Sequence, residues 1–479
     1  MITPVGGRRT AALFLASAAA LTTVTVSGTP ASAVGTLDGV WRMDGYGTVV
    51  SVEDGGRRMR EYETTGIGCL PGDVTELTPT TATLEPAGPG RARLGWAGSV
   101  GHRTLRRVAA LPTACGDPQP AQDPRATFDT FWRTYAENYP FFAMKGVDWQ
   151  AVRDRYRPQV TNQTTNDELF SILTKMVEPL HDGHTYLTRG DCGAKPDNCF
   201  GGHRADTPFP SGELIKKIDA SIAAQVGADR LQEWGQGHGK GKIAFAELPD
   251  GTGYLRLTGF VNYTDDHTFE ADSAELDRAL DAVFTPRRVR SLRGLVLDLR
   301  FNGGGSDRLG LRVAERLTDR PYTAYLKQAR NDPRDPGKFT PAEPVRVRPH
   351  QGGPVYTGPV ALLTGRLTIS AGETTTQALM GRAPGVVRIG QNTNGSFSDV
   401  LERRLPNGWR FGLPNEVFRD AGTGRSYDGE GIAPDVRVPV FTDAEFLAGR
   451  DSALTEARRR LARGVPQTSG LAATGVPRA

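Results

Sequence analysis

Ser370 lies where a short apolar segment gives way to a predicted helix. The apolar run VALLT (residues 360–364) precedes it, and TISAGETTT (residues 368–376) contains it. A serine at a helix start sits in the positive field of the helix dipole, near unpaired N–H groups that can stabilise an oxyanion. However, Ser370-x-x-Glu373 is also the spacing of a capping box, in which the hydroxyl only terminates the helix. The residues alone therefore leave two interpretations open, a nucleophile and a helix cap.

A pair of histidines with an acid between them could supply a base for such a serine. HDGH (residues 181–184) places His181 and His184 three residues apart. The zinc motif H-E-x-x-H spaces its histidines by about four residues on one helical face, and no third ligand motif follows here, so we expect no metal site. A catalytic base and a structural histidine stay as alternatives for this stretch.

A glycine-rich turn is a further candidate for chemistry. DLRFNGGGSD (residues 298–307) follows an apolar strand and precedes a helix. Its glycines allow backbone N–H groups to converge on an anion, or simply form a tight turn. GQGHGKGK (residues 235–242) lacks the G-x-x-x-x-G-K-[ST] spacing of a phosphate loop and follows a segment with a helical pattern. We interpret it as a flexible connector, and the sequence indicates no cofactor.

Several motifs, taken in order, resemble a known family. DLRFNGGG, LLTGRLTISAGET, GQNTNG and GEGIAPDV occur in the order and approximate spacing of the tail-specific (C-terminal processing) serine peptidases. The upstream helices ending in LHDGHTYL resemble the branch that contains the tricorn protease core and the interphotoreceptor retinoid-binding protein. The resemblance covers roughly residues 125–445. It implies an α/β fold with a crotonase/ClpP-like catalytic core, in which Ser370 hydrolyses peptide bonds.

The same resemblance narrows the choice of base. Peptidases of the Ser–Lys type carry a lysine directly after a G-x-x-T-x-G turn, which corresponds here to residues 390–395. Ser396 stands at the lysine position, and no lysine follows Lys338. A Ser–Lys dyad of that design is excluded, and the tricorn-like branch implies His184 as the base instead. A neutral imidazole can accept the seryl proton and return it to the leaving amine near neutral pH.

The resemblance also implies an acid and an oxyanion hole. In SYDGEGIAPD, Asp428 stands at the position of the family's acid, which is usually a glutamate, and Glu430 is the alternative. Such an acid would hold the imidazole in the required tautomer. The backbone N–H groups of Gly304 and Ala371 correspond to the oxyanion donors. Gly183 replaces the serine that precedes the histidine in the tricorn core, so we do not expect a four-member relay.

The N-terminal elements follow from periodicity. Residues 34–116 contain short alternating stretches such as GTVVSV, and we interpret them as a small β-rich accessory domain. Residues 117–124 form a linker, judged from their Pro, Gly and Asp content. Residues 125–205 space apolar residues at helical intervals, with Asn166 as a helix cap. This helical segment carries the candidate base His184 near its end.

The pattern of strands and helices in the remainder of the chain predicts the catalytic core. Residues 206–445 alternate apolar strands with helices, which predicts a largely parallel sheet covered on both faces. The stretch between Cys199 and Ile243 is too short for a PDZ domain of about 90 residues, so recognition of a free C-terminus does not carry over. A final helix within AEFLAGRDSALTEARRRLA and a disordered tail complete residues 446–479.

The N-terminus predicts export. Arg8 and Arg9 precede the apolar run AALFLASAAAL, and ASA (residues 31–33) provides an A-x-A cleavage site. We therefore interpret residues 1–33 as a removed signal peptide. No later stretch reaches the ~20 apolar residues that span a bilayer, so we expect a secreted, extracellular protein without stable membrane insertion.

Composition and cysteine content agree with this location. A net charge of +4 without a basic block gives no indication of nucleic-acid binding. In an oxidising compartment the four cysteines would pair, and proximity favours disulfides between Cys69 and Cys115 and between Cys192 and Cys199. LAATG (residues 471–475) resembles a sorting signal but lacks the apolar helix that follows such signals, so we expect a disordered tail there.

The sequence favours a secreted serine endopeptidase acting on peptide or protein substrates. A binding module for an apolar ligand on the same fold is the alternative, and so is an esterase or amidase for small molecules. Ser370, His184 and a nearby acid together favour an enzyme, because a binding module needs none of the three. The oligomeric state is not indicated by the sequence.

Overall fold

The computed structural model describes residues 37–116, 123–207 and 210–463, which belong to one compact unit, Thr36–Ala479. The predicted signal peptide, most of the predicted linker and the LAATG stretch lie outside the described residues. Within the described residues, no helix combines the length and the apolar character that a membrane span requires.

A sheet of seven antiparallel strands forms the N-terminal region. The strands are β1 (Gly39–Met43), β2 (Thr48–Glu53), β3 (Arg58–Thr65), β4 (Gly68–Glu76), β5 (Ala82–Pro86), β6 (Arg91–Trp96) and β7 (Arg103–Val108). Their order in the sheet is β4-β3-β2-β1-β7-β6-β5. The disulfide between Cys69 and Cys115 ties β4 to the turn after the last strand, as predicted. The prediction of a β-rich N-terminal region is confirmed.

Four helices follow, within the segment whose apolar spacing predicted helices. They are α1 (Pro124–Asn138), α2 (Phe142–Lys145), α3 (Trp149–Tyr156) and α4 (Asn166–Val177). The predicted cap of α4 is off by one residue. Thr165 is the cap, and its hydroxyl accepts the N–H of Glu168 at 3.3 Å, whereas Asn166 is the first helical residue. A threonine followed three residues later by glutamate forms a full capping box, which outcompetes a lone asparagine.

The N-terminal sheet and these helices share one hydrophobic core. The inward side chains of Trp41, Val50 and Leu105 lie in the same buried cluster as Phe131 of α1. The centre of the Phe131 ring lies 4.9 Å from that of Phe411, which belongs to the C-terminal half of the chain, and the two ring planes are tilted by 53°. The N-terminal sheet is therefore fixed to the rest of the molecule by apolar packing.

The remaining elements build the α/β part of the chain. In order they are β8 (Tyr186–Thr188), β9 (Cys199–Gly201), α5 (Gly212–Val226), β10 (Gln232–Trp234), β11 (Ile243–Glu247), β12 (Thr252–Leu257), α6 (Phe269–Val283), α7 (Arg288–Ser291), β13 (Gly294–Asp298), β14 (Phe301–Asn302), α8 (Asp307–Glu315), β15 (Tyr322–Ala329), β16 (Glu343–Val347), β17 (Val360–Thr364), β18 (Leu367–Thr368), α9 (Ala371–Met380), β19 (Val386–Gly390), β20 (Val400–Arg404), β21 (Arg410–Pro414), β22 (Glu416–Asp420), β23 (Val436–Arg437), α10 (Asp443–Ala448) and α11 (Ser452–Ala462).

The main sheet has the strand order β10-β11-β12-β13-β17-β19-β23. All pairs from β12 to β23 are parallel, and β10 and β11 are added antiparallel at one edge. Two smaller sheets, β16-β15-β22 and β20-β21-β8-β9, flank it. The largely parallel core sheet is thus as predicted, with β10 standing directly before the GQGHGKGK stretch where the sequence pattern suggested a helix.

Both faces of the main sheet are covered, because side chains along a strand alternate between faces. On β13, Leu295 and Leu297 lie in the cluster that includes Leu276 of α6 and Leu309 of α8. Val296, between them, lies in the opposite cluster with side chains of α5 and α11. Near-continuous apolar strands are the expected consequence of this double cover.

The C-terminal end differs from the prediction of one final helix. Gly449 adopts a left-handed conformation (φ 59°) and ends α10, and Asp451 then caps α11. Glycine takes this conformation at no steric cost, so the helix ends where the sequence offers it.

A buried charge cluster joins the end of β13 to α11. The guanidinium of Arg300 lies 2.6 Å from an oxygen of Asp298 and 2.7 Å from one of Asp451, and all three side chains are almost fully buried. The Tyr254 hydroxyl donates to Asp298 at 2.7 Å. Burial alone would raise the pKa of Asp298, but Arg300 and these hydrogen bonds hold it below its ordinary value.

Removing the cation should therefore destabilise the fold. We expect Arg300→Met to lower the free energy of unfolding by about 3–5 kcal/mol, because two carboxylates would be left buried without a partner. Chemical denaturation followed by far-UV circular dichroism measures this. Lys217→Met is the matched control, since its partner Glu213 is exposed, and it should change stability by at most ~1 kcal/mol. Equal effects of the two variants would contradict a structural role for the buried cluster.

Candidate active site

Ser370 occupies a strained turn between β18 and α9. Its backbone has φ 55° and ψ −120°, a conformation that residues with a side chain rarely adopt. Its N–H donates to the carbonyl of Ser396 at 3.1 Å, which holds the turn in place. A sharp strand-to-helix turn of this kind exposes a serine hydroxyl at the end of a sheet. Strain retained at one polar residue is typical of functional sites.

Of the two hydrogen bonds in the predicted capping box, the one accepted by the Glu373 carboxylate is formed. The N–H of Ser370 donates to the carboxylate of Glu373 at 3.3 Å. The Ser370 hydroxyl lies near the N–H of residue 373 but does not make a cap hydrogen bond of normal geometry. That N–H donates instead to the Ser370 carbonyl at 2.7 Å. The hydroxyl is thus not committed to the helix end.

Glu373 also accepts hydrogen bonds from residues outside the start of α9. Its side chain is fully buried, and its two oxygens also accept the N–H groups of Gly395 at 2.6 Å and Ser396 at 2.8 Å. Burial raises the pKa of Glu373 to about 7, although these hydrogen bonds act in the opposite direction. The spacing in the sequence revealed the cap, but nothing in it revealed the contact with the turn after residue 390.

Gly304 lies against the serine. Strands β14 and β18 pair in parallel, with Asn302 opposite Thr368, and this brings the two loops that follow them together. Gly304 has φ +89°, and a Cβ built on it would lie 2.6 Å from the Cβ of Ser370. Only glycine fits there. Its N–H currently donates to Asn302 Oδ1 at 3.0 Å, so binding an oxyanion requires that this bond be shared or exchanged.

Ala371, the other expected donor, is the first residue of α9. It is fully buried, and within the described parts of the chain no acceptor pairs with its backbone N–H. The first N–H groups of a helix have no partner inside the helix and point along its positive dipole end. This N–H is therefore available to an anion.

The contacts of the residues on either side of His184 place it near the turn that contains Ser370. It stands just before β8, which pairs with β21, and this pairing draws the end of the helical segment into the α/β region. A Cβ built on Gly183 would lie 3.4 Å from the hydroxyl of Ser396, whose carbonyl holds Ser370. In the described structure, His184 Nδ1 is buried without a hydrogen-bond partner.

The electrostatics of His184 suit a base. Burial lowers its pKa below the ordinary value of 6.5, and the carboxylates of Asp182 and Asp399 oppose this effect only in part. The imidazole is therefore neutral at neutral pH. Within the described part of the chain the imidazole and the Ser370 hydroxyl are not hydrogen-bonded to each other. Such bonds are often formed only when substrate is bound.

The other members of HDGH have structural positions. Asp182 is buried, accepts the His184 N–H at 3.0 Å and accepts the Tyr139 hydroxyl at 2.9 Å, so it shapes the turn. His181 is exposed and adopts a left-handed conformation (φ 46°). Among the described residues, no group of three or more His, Cys, Asp or Glu side chains has the arrangement of a metal site.

Asp428 is buried beside the other acids of the site. Its carboxylate accepts the Ser426 hydroxyl at 2.6 Å and the Phe397 N–H at 3.4 Å. Burial, with the nearby carboxylates of Asp182 and Glu373, raises the pKa of Asp428 to about 8. It is therefore protonated at neutral pH, which a negative orienting acid would not be.

Glu430, the alternative acid, faces solvent. Its side chain is 71% exposed and pairs with Arg425 at 2.5 Å. This position does not suit a group that must hold a buried imidazole, so the geometry favours Asp428 over Glu430.

A cluster of charged side chains around Lys327 lies near the site, and no motif in the sequence predicted it. Lys327 of β15 lies 2.7 Å from Asp399 and 3.3 Å from Glu416, and Glu416 also accepts the hydroxyl of Tyr46 from the N-terminal sheet at 2.5 Å. Burial and the charge of Asp399 raise the pKa of Asp307, at the start of α8, to about 7. Because these residues lie far apart in the sequence, no local pattern indicates the cluster.

Two adjoining cavities open near the loop that contains Gly304. The near cavity, of about 270 Å³, is lined by Gly305 and Ser306, directly after Gly304. The far cavity, of about 480 Å³, lies between the N-terminal sheet and β15. Both are lined by Ser99 and Asp399, so they adjoin each other.

Comparison with known proteins agrees with this geometry. Residues 251–438 match the model of Peptidase family S41, and residues 120–178 match that of the tricorn protease C1 domain. The first match contains Ser370, Gly304 and Asp428, whereas His184 lies just beyond the second.

Relatives of known sequence and structure point the same way. Tricorn protease homolog 1 of Streptomyces coelicolor is 26% identical over 393 residues, which cover 71% of this chain and 35% of that protein. This chain thus spans about a third of the length of that relative. A crystal structure from Parabacteroides merdae, described as a candidate peptidase, is 27% identical with a TM-score of 0.57, and the match covers 71% of this chain and 96% of that one.

The motifs, the strained serine and these matches agree, and the matched family is one of serine-type peptidase hydrolases. Residues 251–438 of this chain thus resemble peptidase family S41, and residues 120–178 resemble the tricorn protease C1 domain.

Proposed function

We propose that this protein is an exported serine endopeptidase with a crotonase/ClpP-like core, in which Ser370 is the nucleophile and His184 the base. The observation that carries the proposal is the strained backbone of Ser370, whose hydroxyl is not committed to the helix cap and which touches Gly304. The two disulfides, Cys69–Cys115 and Cys192–Cys199, support folding in an oxidising compartment and hence export.

The reaction follows from the groups present. His184 accepts the seryl proton as Ser370 Oγ attacks the carbonyl carbon of the peptide bond, and the N–H groups of Ala371 and Gly304 bind the oxyanion. The protonated imidazole then gives its proton to the leaving amine, and water, activated by the same imidazole, hydrolyses the acyl-enzyme. Asp428 orients His184, most effectively once it is ionised.

The residues of the site support an enzyme over an apolar-ligand binder on the same fold. A buried neutral histidine and a strained serine cost stability, and a binding module has no use for either. An esterase or amidase for small molecules would use the same groups, and parallel assays with peptide and ester substrates separate these two activities.

The nucleophile and the base can be tested with a fluorophosphonate probe. We expect the wild-type protein to be labelled, Ser370→Ala to be unlabelled, and His184→Ala to be labelled about 10²–10⁴ times more slowly, because the general base is lost. Mass spectrometry of the labelled protein identifies the site. Correctly folded wild type that stays unlabelled would exclude Ser370 as the nucleophile, and unchanged labelling of the histidine variant would exclude His184.

The role of Asp428 predicts the pH profile. A base acts when neutral and an orienting acid when charged, so kcat/KM should rise in two steps with increasing pH. The lower step lies below pH 6.5, where His184 loses its proton, and the upper step lies near pH 8, where Asp428 ionises. Asp428→Asn should lose the upper step, and Asp428→Glu, the family's usual acid, should keep one. An upper step that persists in the asparagine variant would exclude Asp428.

Glu373 should be needed for the position of the nucleophile. Both of its oxygens accept N–H groups, so a glutamine would turn its own NH₂ toward a donor. We expect Glu373→Gln to lower kcat by at least about tenfold with little change in KM. Glu168→Gln alters the capping box of α4 far from the site and is the control, with unchanged kinetics. The same modest loss of stability in both, with unchanged kcat in both, would reduce Glu373 to a helix cap.

A further inference from the structure

The N-terminal sheet reaches the oxyanion loop through the connection between β6 and β7, residues 97–102. The carbonyl of Gly98 accepts the hydroxyl of Ser306 at 2.5 Å, and the carbonyl of Val100 accepts Lys327 Nζ at 3.2 Å. Gly98 has φ +80°, and a Cβ there would lie 3.0 Å from the ring of Phe269. This connection is thus fixed against the α/β region at the point where Gly304, Gly305 and Ser306 form the oxyanion loop.

The connection forms one wall of the near cavity. Ala97, Gly98 and Ser99 line one side, and Phe260 and Gly305 line the other. Because Gly304 touches Ser370, this cavity begins beside the residue that meets the scissile carbonyl. This position places the cavity within reach of a substrate side chain next to the scissile bond.

The far cavity continues the same cleft. It shares Ser99 and Asp399 with the near cavity and runs between the N-terminal sheet and the stretch around β15 and β16. Together the cavities provide about 270 Å³ and about 480 Å³ of space along one line of residues. Because this space is divided into two adjoining cavities, it can hold the side chains of successive residues of an extended polypeptide.

The two cavities differ in the charged side chains that line them. The near cavity is lined by Asp272, Asp307 and Asp399 and by no lysine or arginine. The far cavity is lined by several basic side chains, among them Arg103, whose guanidinium lies 4.4 Å from the centre of the Tyr46 ring. Among the described residues Arg103 forms no ion pair, although Glu61, Glu416 and Asp399 lie within electrostatic range. The far cavity also has Asp44 and Glu343 in its lining, so it carries charges of both signs, whereas the charged side chains that line the near cavity are acidic.

We propose that residues 97–102 of the N-terminal sheet form a wall of the substrate cleft and contact an extended polypeptide substrate, whose side chains enter the near and far cavities in turn. This inference rests on the proposed function of Ser370. It gives the N-terminal sheet a role in substrate binding that is separate from the chemistry at the serine.

The test places a bulky side chain at the junction of the two cavities. Ser99 is exposed and lines both, so Ser99→Trp blocks the passage between them. We expect KM for a peptide of about ten residues to rise at least about tenfold, while fluorophosphonate labelling and hydrolysis of a small ester stay within about twofold of wild type. Thr80→Trp is the control, because Thr80 is exposed on the same sheet and lines neither cavity.

The outcomes separate the two proposals. Wild type that is not labelled overturns the function of Ser370 and this inference with it. Labelled wild type with the same peptide KM in the Ser99 and Thr80 variants overturns the cleft wall alone. Equal loss of labelling and of peptide hydrolysis in the Ser99 variant also overturns it, because the connection would then act on the nucleophile and not on the substrate.

Discussion

The carboxylate of Glu373 is the interaction on which the geometry of the site depends. It accepts backbone N–H groups from Ser370, Gly395 and Ser396, and so joins the start of α9 to a turn that comes later in the chain. Ser396 returns the contact by accepting the Ser370 N–H, and its hydroxyl lies beside Gly183, the neighbour of the base. These N–H donors at the helix start favour the negative form of Glu373, although burial still raises its pKa to about 7. The strained serine and the turn are therefore held by one buried group, and the histidine segment lies against that turn.

Buried charged side chains on both sides of the site also influence it. Burial, together with the carboxylates of Asp182 and Glu373, raises the pKa of Asp428 to about 8, and burial raises the pKa of Glu373 to about 7. On the other side of the site, Asp399 and Glu416 share the ammonium of Lys327, and Glu416 also accepts the hydroxyl of Tyr46 from the N-terminal sheet. Burial alone would lower the pKa of Lys327, but these carboxylates hold it above its ordinary value. The site is thus a low-dielectric region whose charges belong to three parts of the chain.

Much of the fold could be predicted because its signals are local. Apolar strands such as GLVLD, the helical spacing before residue 178 and the proximity of the cysteines each reflect short stretches of chain. Errors were local as well, since Thr165 rather than Asn166 caps α4 and Gly449 splits the final helix. The position of Ser370 and the capping spacing were visible in the sequence, but the contacts of Glu373, the Lys327 cluster and the approach of residues 97–102 to Ser306 were not. These contacts join residues far apart in sequence, and no periodicity encodes them.

The backbone of Ser370 has a consequence for how this protein could change over time. At φ 55° and ψ −120° a glycine would be relaxed, whereas a serine carries strain of order 1–3 kcal/mol. Selection for a more durable fold alone would therefore favour loss of the side chain at this position. If Ser370 is the nucleophile, as we propose, reactivity and not durability has set the residue here. Among natural relatives of this protein, those with glycine at this turn would be expected to have abandoned catalysis while keeping, or even improving, the fold.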